Sequence, residues 1–178
     1  TYHHHEQASA MAAEAYARID NRMAAVCVTS GPGATNVITG VLCAWTDSIP
    51  MLVLSGQVRY ATTVRSTGLA LRTMGVQEYD IVPSVAPMTK YAVMVTDAKD
   101  IRHHLERAMY LAVNGRPGPV WLDLPLDVQG AVVETDELRG YDPSEDAGEP
   151  SEKVSRRTAE KILDTIRQSS RPVLFVGN

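Results

Sequence analysis

Cysteine and bulky aromatics are scarce in this chain: its 178 residues include two cysteines, two tryptophans and one phenylalanine. Cys27 and Cys43 are too few for a disulfide framework, so a reducing, cytoplasmic compartment is the expectation. Even with seven tyrosines, aromatics reach only 6%, too few for a platform that stacks nucleobases. Positive charge is not in excess either. The 17 Lys and Arg stand against 21 Asp and Glu, a formal net charge of −4, which gives no support to a phosphate-tracking, nucleic-acid-binding surface. No apolar run approaches the roughly 18–20 residues of a membrane helix, and the opening Thr1-Tyr2-His3-His4-His5-Glu6 lacks the basic and apolar regions of a secretory signal. A 44% hydrophobic and 21% charged composition is that of a globular domain, not a disordered chain.

Charge is unevenly placed. Residues 131–153 hold eight acids (Glu134, Asp136, Glu137, Asp142, Glu145, Asp146, Glu149, Glu152) and only Arg139 and Lys153 as bases. With Gly140, Pro143, Gly148 and Pro150 among them, they read as a solvated linker. Before it, helix and strand alternate. Gln7 to Ile19 is Ala-rich and free of Gly and Pro, hence helical. Ala24 to Thr29 is a short apolar run, expected as a buried strand that Ser30-Gly31-Pro32-Gly33 breaks, and Ala34 to Trp45 resumes as helix. Met51 to Leu54 is the next strand, closed by Ser55-Gly56, and residues 57–77 form a long loop of the kind that usually serves function. Lys90 to Val95 reads as a strand. From Ala98 to Val113 the apolar positions keep to one face of a helix, with Asp97 to cap it and Asn114-Gly115 to end it. Pro119 to Leu124 is a strand stopped by Pro125. Such alternation predicts an α/β fold, a mainly parallel sheet with helices on both faces.

After the linker, Ser155 caps a helix whose apolar face is Ala159, Ile162, Leu163 and Ile166, and Val173 to Asn178 reads as a strand. The chain starts at a helix with no strand before it and stops at a strand with nothing after it. It is therefore expected to be an internal piece, truncated at both ends. The division expected is 1–130 for the first domain, 131–154 for the acidic linker and 155–178 for the start of a second domain.

Two places have the residues for chemistry. Thr29-Ser30-Gly31-Pro32-Gly33-Ala34-Thr35-Asn36 joins a strand to a helix, where glycines admit a close ligand and the helix N-terminus offers free N–H groups. The motif is not a P-loop, since no Gly-Lys-Ser/Thr follows, nor a dinucleotide fingerprint, since Asn36 stands where the third Gly belongs. A tight turn and a ligand site both fit it. The second place is Glu6 at a helix start. It either complements the helix dipole or is a partly buried carboxylate with a raised pKa that shares a proton with a ligand. Neighbouring side chains of His3, His4 and His5 point opposite ways on an extended chain, so no metal site is expected there. His103 and His104 are expected to face solvent, and Cys27 and Cys43 to be buried and inert. No Gly-x-Ser-x-Gly elbow is present.

In order, His5-Glu6-Gln7, the Thr29 to Asn36 motif, Asp47-Ser48-Ile49-Pro50, Ser55-Gly56-Gln57-Val58, Gln77-Glu78, Thr89-Lys90 and Gly115-Arg116-Pro117-Gly118-Pro119-Val120 resemble the pyrimidine-binding domain of thiamine-diphosphate enzymes of the acetolactate synthase type. The resemblance runs from about Tyr2 to Gln129, and the tail from Ser155 is similar to the opening of that family's central domain. It implies that Glu6 is the glutamate that hydrogen-bonds N1′ of the aminopyrimidine and so promotes loss of the thiazolium C2 proton. Pro32 and Asn36 match cofactor-binding positions beside that ring, and Gln77 matches a glutamine on the substrate side. Pro32 as a mere turn former and Asn36 as a cap remain open alternatives.

Two positions depart from the family pattern. Val76 stands where a Phe usually precedes the glutamine, and Leu126 where Lys is usual after the last strand. Loss of a ring and of a cation on the substrate side changes the pocket that selects acceptors. The implied activity is that of a carboligase or decarboxylase of a 2-oxo acid such as pyruvate, with thiamine diphosphate and Mg2+ as cofactors and FAD permitted. The family's Gly-Asp-Gly…Asn-Asn metal motif is missing here, and its active site forms between two chains of a homodimer or homotetramer, so the piece alone is expected to be inactive. The competing class is a non-catalytic assembly or regulatory module with the same fold.

Overall fold

A computed structural model describes residues 1–20, 22–147 and 154–175. They divide into two units, Thr1–Pro143 and Ser144–Asn178. In the first, α1 (Glu6–Asp20), β1 (Ala24–Val28), α2 (Pro32–Asn36), α3 (Ile38–Thr46) and β2 (Met51–Gln57) are followed by the short helices α4 (Val64–Thr67) and α5 (Val82–Val85). Then come β3 (Tyr91–Met94), α6 (Ile101–Val113), β4 (Pro119–Pro125) and α7 (Leu126–Gln129). The strands form one four-stranded sheet in the order β1-β2-β4-β3, every pair parallel.

Strand alternation sends successive side chains to opposite faces. Met51, Val53 and Trp121 join Val26 under α1 and α3, in a core closed by Ala10, Ala13, Ala17, Val37, Val41 and Ala44. Leu52, Val120 and Leu122 face the other way, against Ala108 and Ala112 of α6. Helices thus cover both faces, as the apolar strands predict. The alanines of α1 let it lie close to α3: a Cβ on Gly40 would come within 2.6 Å of the Ala10 Cβ. Arg18 ties the same two helices together, pairing with Glu14 and with Asp47 just past α3.

Several local expectations are corrected. β2 does not close at Ser55 but runs on to Gln57, because Ser55, Gly56 and Gln57 pair with Asp123, Leu124 and Pro125 and the polar side chains are satisfied within the sheet. The helix expected over 34–45 is two helices, with Val37 between them at φ −85° and ψ −10°. Cys27 and Cys43 are exposed, not buried. β1 is an edge strand, so Ala25 and Cys27 point to the face that α6 leaves uncovered, while Cys43 sits on the outer side of α3.

His103 is buried and His104 half-buried. The His104 ring shares a 2.6 Å hydrogen bond with the Tyr91 hydroxyl, and His103 packs edge-on against Tyr141. The start of the acidic segment accounts for this: Tyr141 N–H donates to Glu106 at 2.8 Å, and Arg139 lies 3.3 Å from the His103 ring nitrogen. Residues 139–141 therefore lie along α6.

In the second unit, α8 (Arg156–Gln168) is capped as expected, the Ser155 hydroxyl accepting from Thr158 N–H at 3.1 Å. Residues 173–175 form no strand. A strand needs partners for its backbone groups, and none of the described residues of this unit supplies them. The remainder of that expected strand, 176–178, lies outside the described residues.

Candidate functional site

Parallel strands deliver their carboxyl ends to one edge of the sheet, where ligands of open α/β sheets bind. At the end of β1 the chain turns through Gly31, whose φ of +54° is a left-handed conformation that favours glycine. Space demands glycine there as well. A Cβ on Gly31 would lie 2.0 Å from the Gln77 carbonyl oxygen, and one on Gly33 would lie 2.6 Å from the Thr29 methyl and 3.6 Å from Glu6 Oε1. Pro32 occupies the first helical position of α2, where its missing N–H costs nothing. Thr35 N–H returns to the Gly31 carbonyl at 2.9 Å.

Glu6 begins α1 and is half-buried. Asn36 donates its side-chain amide to Glu6 Oε2 at 3.0 Å. That bond, helped by the residue's own backbone N–H and by His5, holds the carboxyl below its ordinary range despite partial burial. The raised pKa expected from burial is thus corrected: hydrogen bonds to the charged form outweigh desolvation. Asn36 orients the carboxylate, its side-chain amide going to Glu6.

The segment after β2 folds back over this turn. Thr63 caps α4 by accepting from Ser66 N–H at 3.2 Å. The buried Glu78 carboxylate accepts from Val64 N–H and Met74 N–H, both at 3.1 Å. Arg65 grips Asp80 in a two-pronged ion pair of 2.9 and 3.0 Å. So held, the segment presents Gln77, with φ +57°, against Gly31. Val76 beside it is 86% exposed.

Leu126, 54% exposed, opens α7 and lines a groove of about 520 Å3 shared with Thr29, Ser30, Gly56 and Gln57. All six residues expected at the site therefore stand at the carboxyl edge of the sheet. Glu6, Pro32, Asn36 and Gln77 gather on the Gly31–Asn36 turn, while Val76 and Leu126 are exposed at its margin. Arg116, from the Gly115-Arg116-Pro117-Gly118 run, lies before β4 at the opposite edge and donates Nε–H to Ser48 Oγ at 2.7 Å.

Sequence reasoning gave no role to Gln57, Glu78 and Asp123, three buried polar side chains that shape this edge. Asp123 carried a legible signal, being an acid inside the apolar run Val120-Trp121-Leu122-Asp123-Leu124, where an unpaired charge is costly. Among the described residues, no group of three His, Cys, Asp or Glu side chains could hold a metal ion, and no helix is long and apolar enough to cross a membrane.

Residues 2–83 match the family model described as the thiamine pyrophosphate enzyme, N-terminal TPP binding domain. The chain is also similar to acetolactate synthases. It is 38% identical over 180 residues to the acetolactate synthase large subunit of Haemophilus influenzae, covering 97% of this chain and 29% of the relative. With the large subunit of Lactococcus lactis it shares 39% identity over 175 residues, 97% of this chain and 28% of the relative. With the isozyme 3 large subunit of Escherichia coli the identity is 37% over 180 residues, again 97% and 29%. The chain thus spans less than a third of the length of these relatives.

Proposed function

We propose that this chain is the pyrimidine-binding part of a thiamine-diphosphate-dependent carboligase or decarboxylase that acts on a 2-oxo acid such as pyruvate. The observation that carries the reading is the Glu6–Asn36 pair at the glycine turn. A carboxylate held ionised there, where Gly33 leaves room beside Oε1, suits a protonatable ring nitrogen. Asn36 takes one of the roughly four acceptor positions of the carboxylate and leaves capacity for a ligand. When bound, thiamine diphosphate would supply the electron sink for decarboxylation. Glu6 would hold and return a proton at the pyrimidine, Pro32 would limit the width of the slot, and Gln77 would face the 2-oxo acid.

The resemblance implies that Mg2+ and the diphosphate are held by the family's Gly-Asp-Gly…Asn-Asn motif, in a part of the enzyme outside this chain. FAD is compatible with the reading, and no residue here is assigned to it. The same reading includes a second copy of the chain completing the site in a homodimer or homotetramer, a cytoplasmic location, no activity for residues 1–178 alone, and the division 1–130, 131–154 and 155–178.

A purely structural module has no need of an ionised carboxylate clamped at this turn, and nothing in the structure favours it. Calorimetric titration of thiamine diphosphate with Mg2+ into a polypeptide of the relatives' length that carries this chain tests the reading. Saturable binding weakened by Glu6→Ala is the expected result, and no binding to the unsubstituted protein would refute it.

A further inference from the structure

Asp123 is wholly buried, and its register partner across the β2–β4 pair is Ser55, also wholly buried. Asp123 Oδ1 accepts from Ser55 Oγ at 2.6 Å and Oδ2 from Gln57 Nε2 at 3.1 Å. The indole N–H of Trp121 donates to Ser55 Oγ at 2.8 Å. Replacing a whole buried charged pair by apolar residues of similar size is often neutral or stabilising, so strand cohesion alone does not call for a buried acid. This one orients an amide. Gln57 Nε2, held by Asp123, also donates to the Tyr79 carbonyl at 2.9 Å, and Gln57 Oε1 accepts from Val58 N–H at 3.0 Å.

Tyr79 is two residues beyond Gln77, and Gln77 is in the left-handed region. A residue other than glycine keeps that backbone only where its surroundings over-determine it. Here the surroundings are the Gln57–Tyr79 bond on one side, the Glu78 carboxylate bridging Val64 and Met74, and Gly31 in contact with the Gln77 carbonyl. Replacing Gln57 releases the one bond in this set that reaches from the sheet to the segment carrying Gln77.

We propose that Gln57, oriented by Asp123, is a positioning residue that fixes the Gln77 side chain on the substrate side of the site. It rests on the reading above that Gln77 faces the 2-oxo acid. Gln57 has no contact with the reacting atoms in this account; it acts through Tyr79 and the backbone of Gln77.

The test is a double-mutant cycle on a polypeptide of the relatives' length, assayed with pyruvate, thiamine diphosphate and Mg2+. Gln77→Ala is expected to raise KM roughly 10-fold with kcat little changed, the order expected for one lost hydrogen bond to a charged group. Gln57→Asn, which keeps the amide but shortens its reach, is expected to raise KM by a similar factor, and the double variant to be no worse than Gln77→Ala alone. Factors that multiply would overturn the positioning role and leave the Gln77 reading standing. A KM unmoved by Gln77→Ala would overturn both.

A second readout is independent of turnover. Tryptic cleavage at the exposed Arg72 is expected to accelerate in Gln57→Asn and in Asp123→Asn but not in Gln77→Ala, which leaves the backbone clamp in place. Equal cleavage rates in all variants would overturn the proposal.

Discussion

At the scale of single residues, hydrogen bonds decide the charge of one acid and burial that of another. Asn36 lowers the pKa of Glu6, so Asn36→Ala should move the Glu6 titration upward. Carbon-13 NMR of the labelled carboxyl would register it, and an unmoved midpoint would mean that the Asn36 bond does not set the charge. Asp123 is the opposite case. Desolvation pushes it up to about 6, and the bonds from Ser55 and Gln57 oppose this only in part, with Asp80 raising and Arg65 lowering it at longer range.

An acid whose folded pKa exceeds its unfolded value binds its proton more tightly when folded. Its contribution to stability is therefore largest below about pH 4, declines as pH rises to about 6, and is flat above. Asp123→Asn should remove a pH dependence on the order of 1–3 kcal/mol across that window. Urea unfolding at pH 4.5 and 7.5 measures it, and identical slopes for both proteins would contradict the burial account.

At the scale of elements, legibility followed periodicity and ended where tertiary pairing took over. α1 could be read from its alanines and its lack of Gly and Pro, and α6 from apolar residues at helical spacing; Asp97, read as the cap of that helix, instead caps the short 3-10 turn Ala98–Asp100 before it, accepting from Lys99 N–H. Ser55-Gly56-Gln57 looked like a strand end because polar residues and glycine usually are. Pairing with Asp123, Leu124 and Pro125 makes them strand, Asp123 satisfying the Ser55 and Gln57 side chains, and no local pattern encodes such distant partners. His103 looked solvent-facing because nothing near it in sequence announces that Arg139 and Tyr141 return to cover α6. At the site, the glycine turn and Glu6 were legible from their motifs. The Asn36 bond and the clamp on Gln77 were not, because both join elements distant in sequence.

Gly31 is the element-scale prediction. Gly31→Ala places a methyl on the Gln77 carbonyl and strains a left-handed residue, the latter alone costing about 1–2 kcal/mol. Chemical denaturation should show at least that loss, with faster proteolysis of residues 68–76; unchanged stability would mean that the turn and the Gln77 segment are not in contact.

At the scale of the whole molecule, a parallel sheet covered on both faces places a glycine turn, an ionised carboxylate and a clamped glutamine on one edge. Residues 2–83 match a thiamine pyrophosphate enzyme domain, and the chain spans about 29% of an acetolactate synthase relative. The central claim is that Glu6 works as a proton-handling carboxylate on a bound cofactor and not as a helix-end charge. Glutamine keeps the size and the hydrogen bonding of Glu6 but cannot take up and return a proton. The most direct measurement is carbon dioxide release from pyruvate by a polypeptide of the relatives' length, with thiamine diphosphate and Mg2+, before and after Glu6→Gln. A fall in turnover of about 100-fold or more is predicted, the usual scale of a lost acid–base group; turnover that survives the substitution would contradict the account.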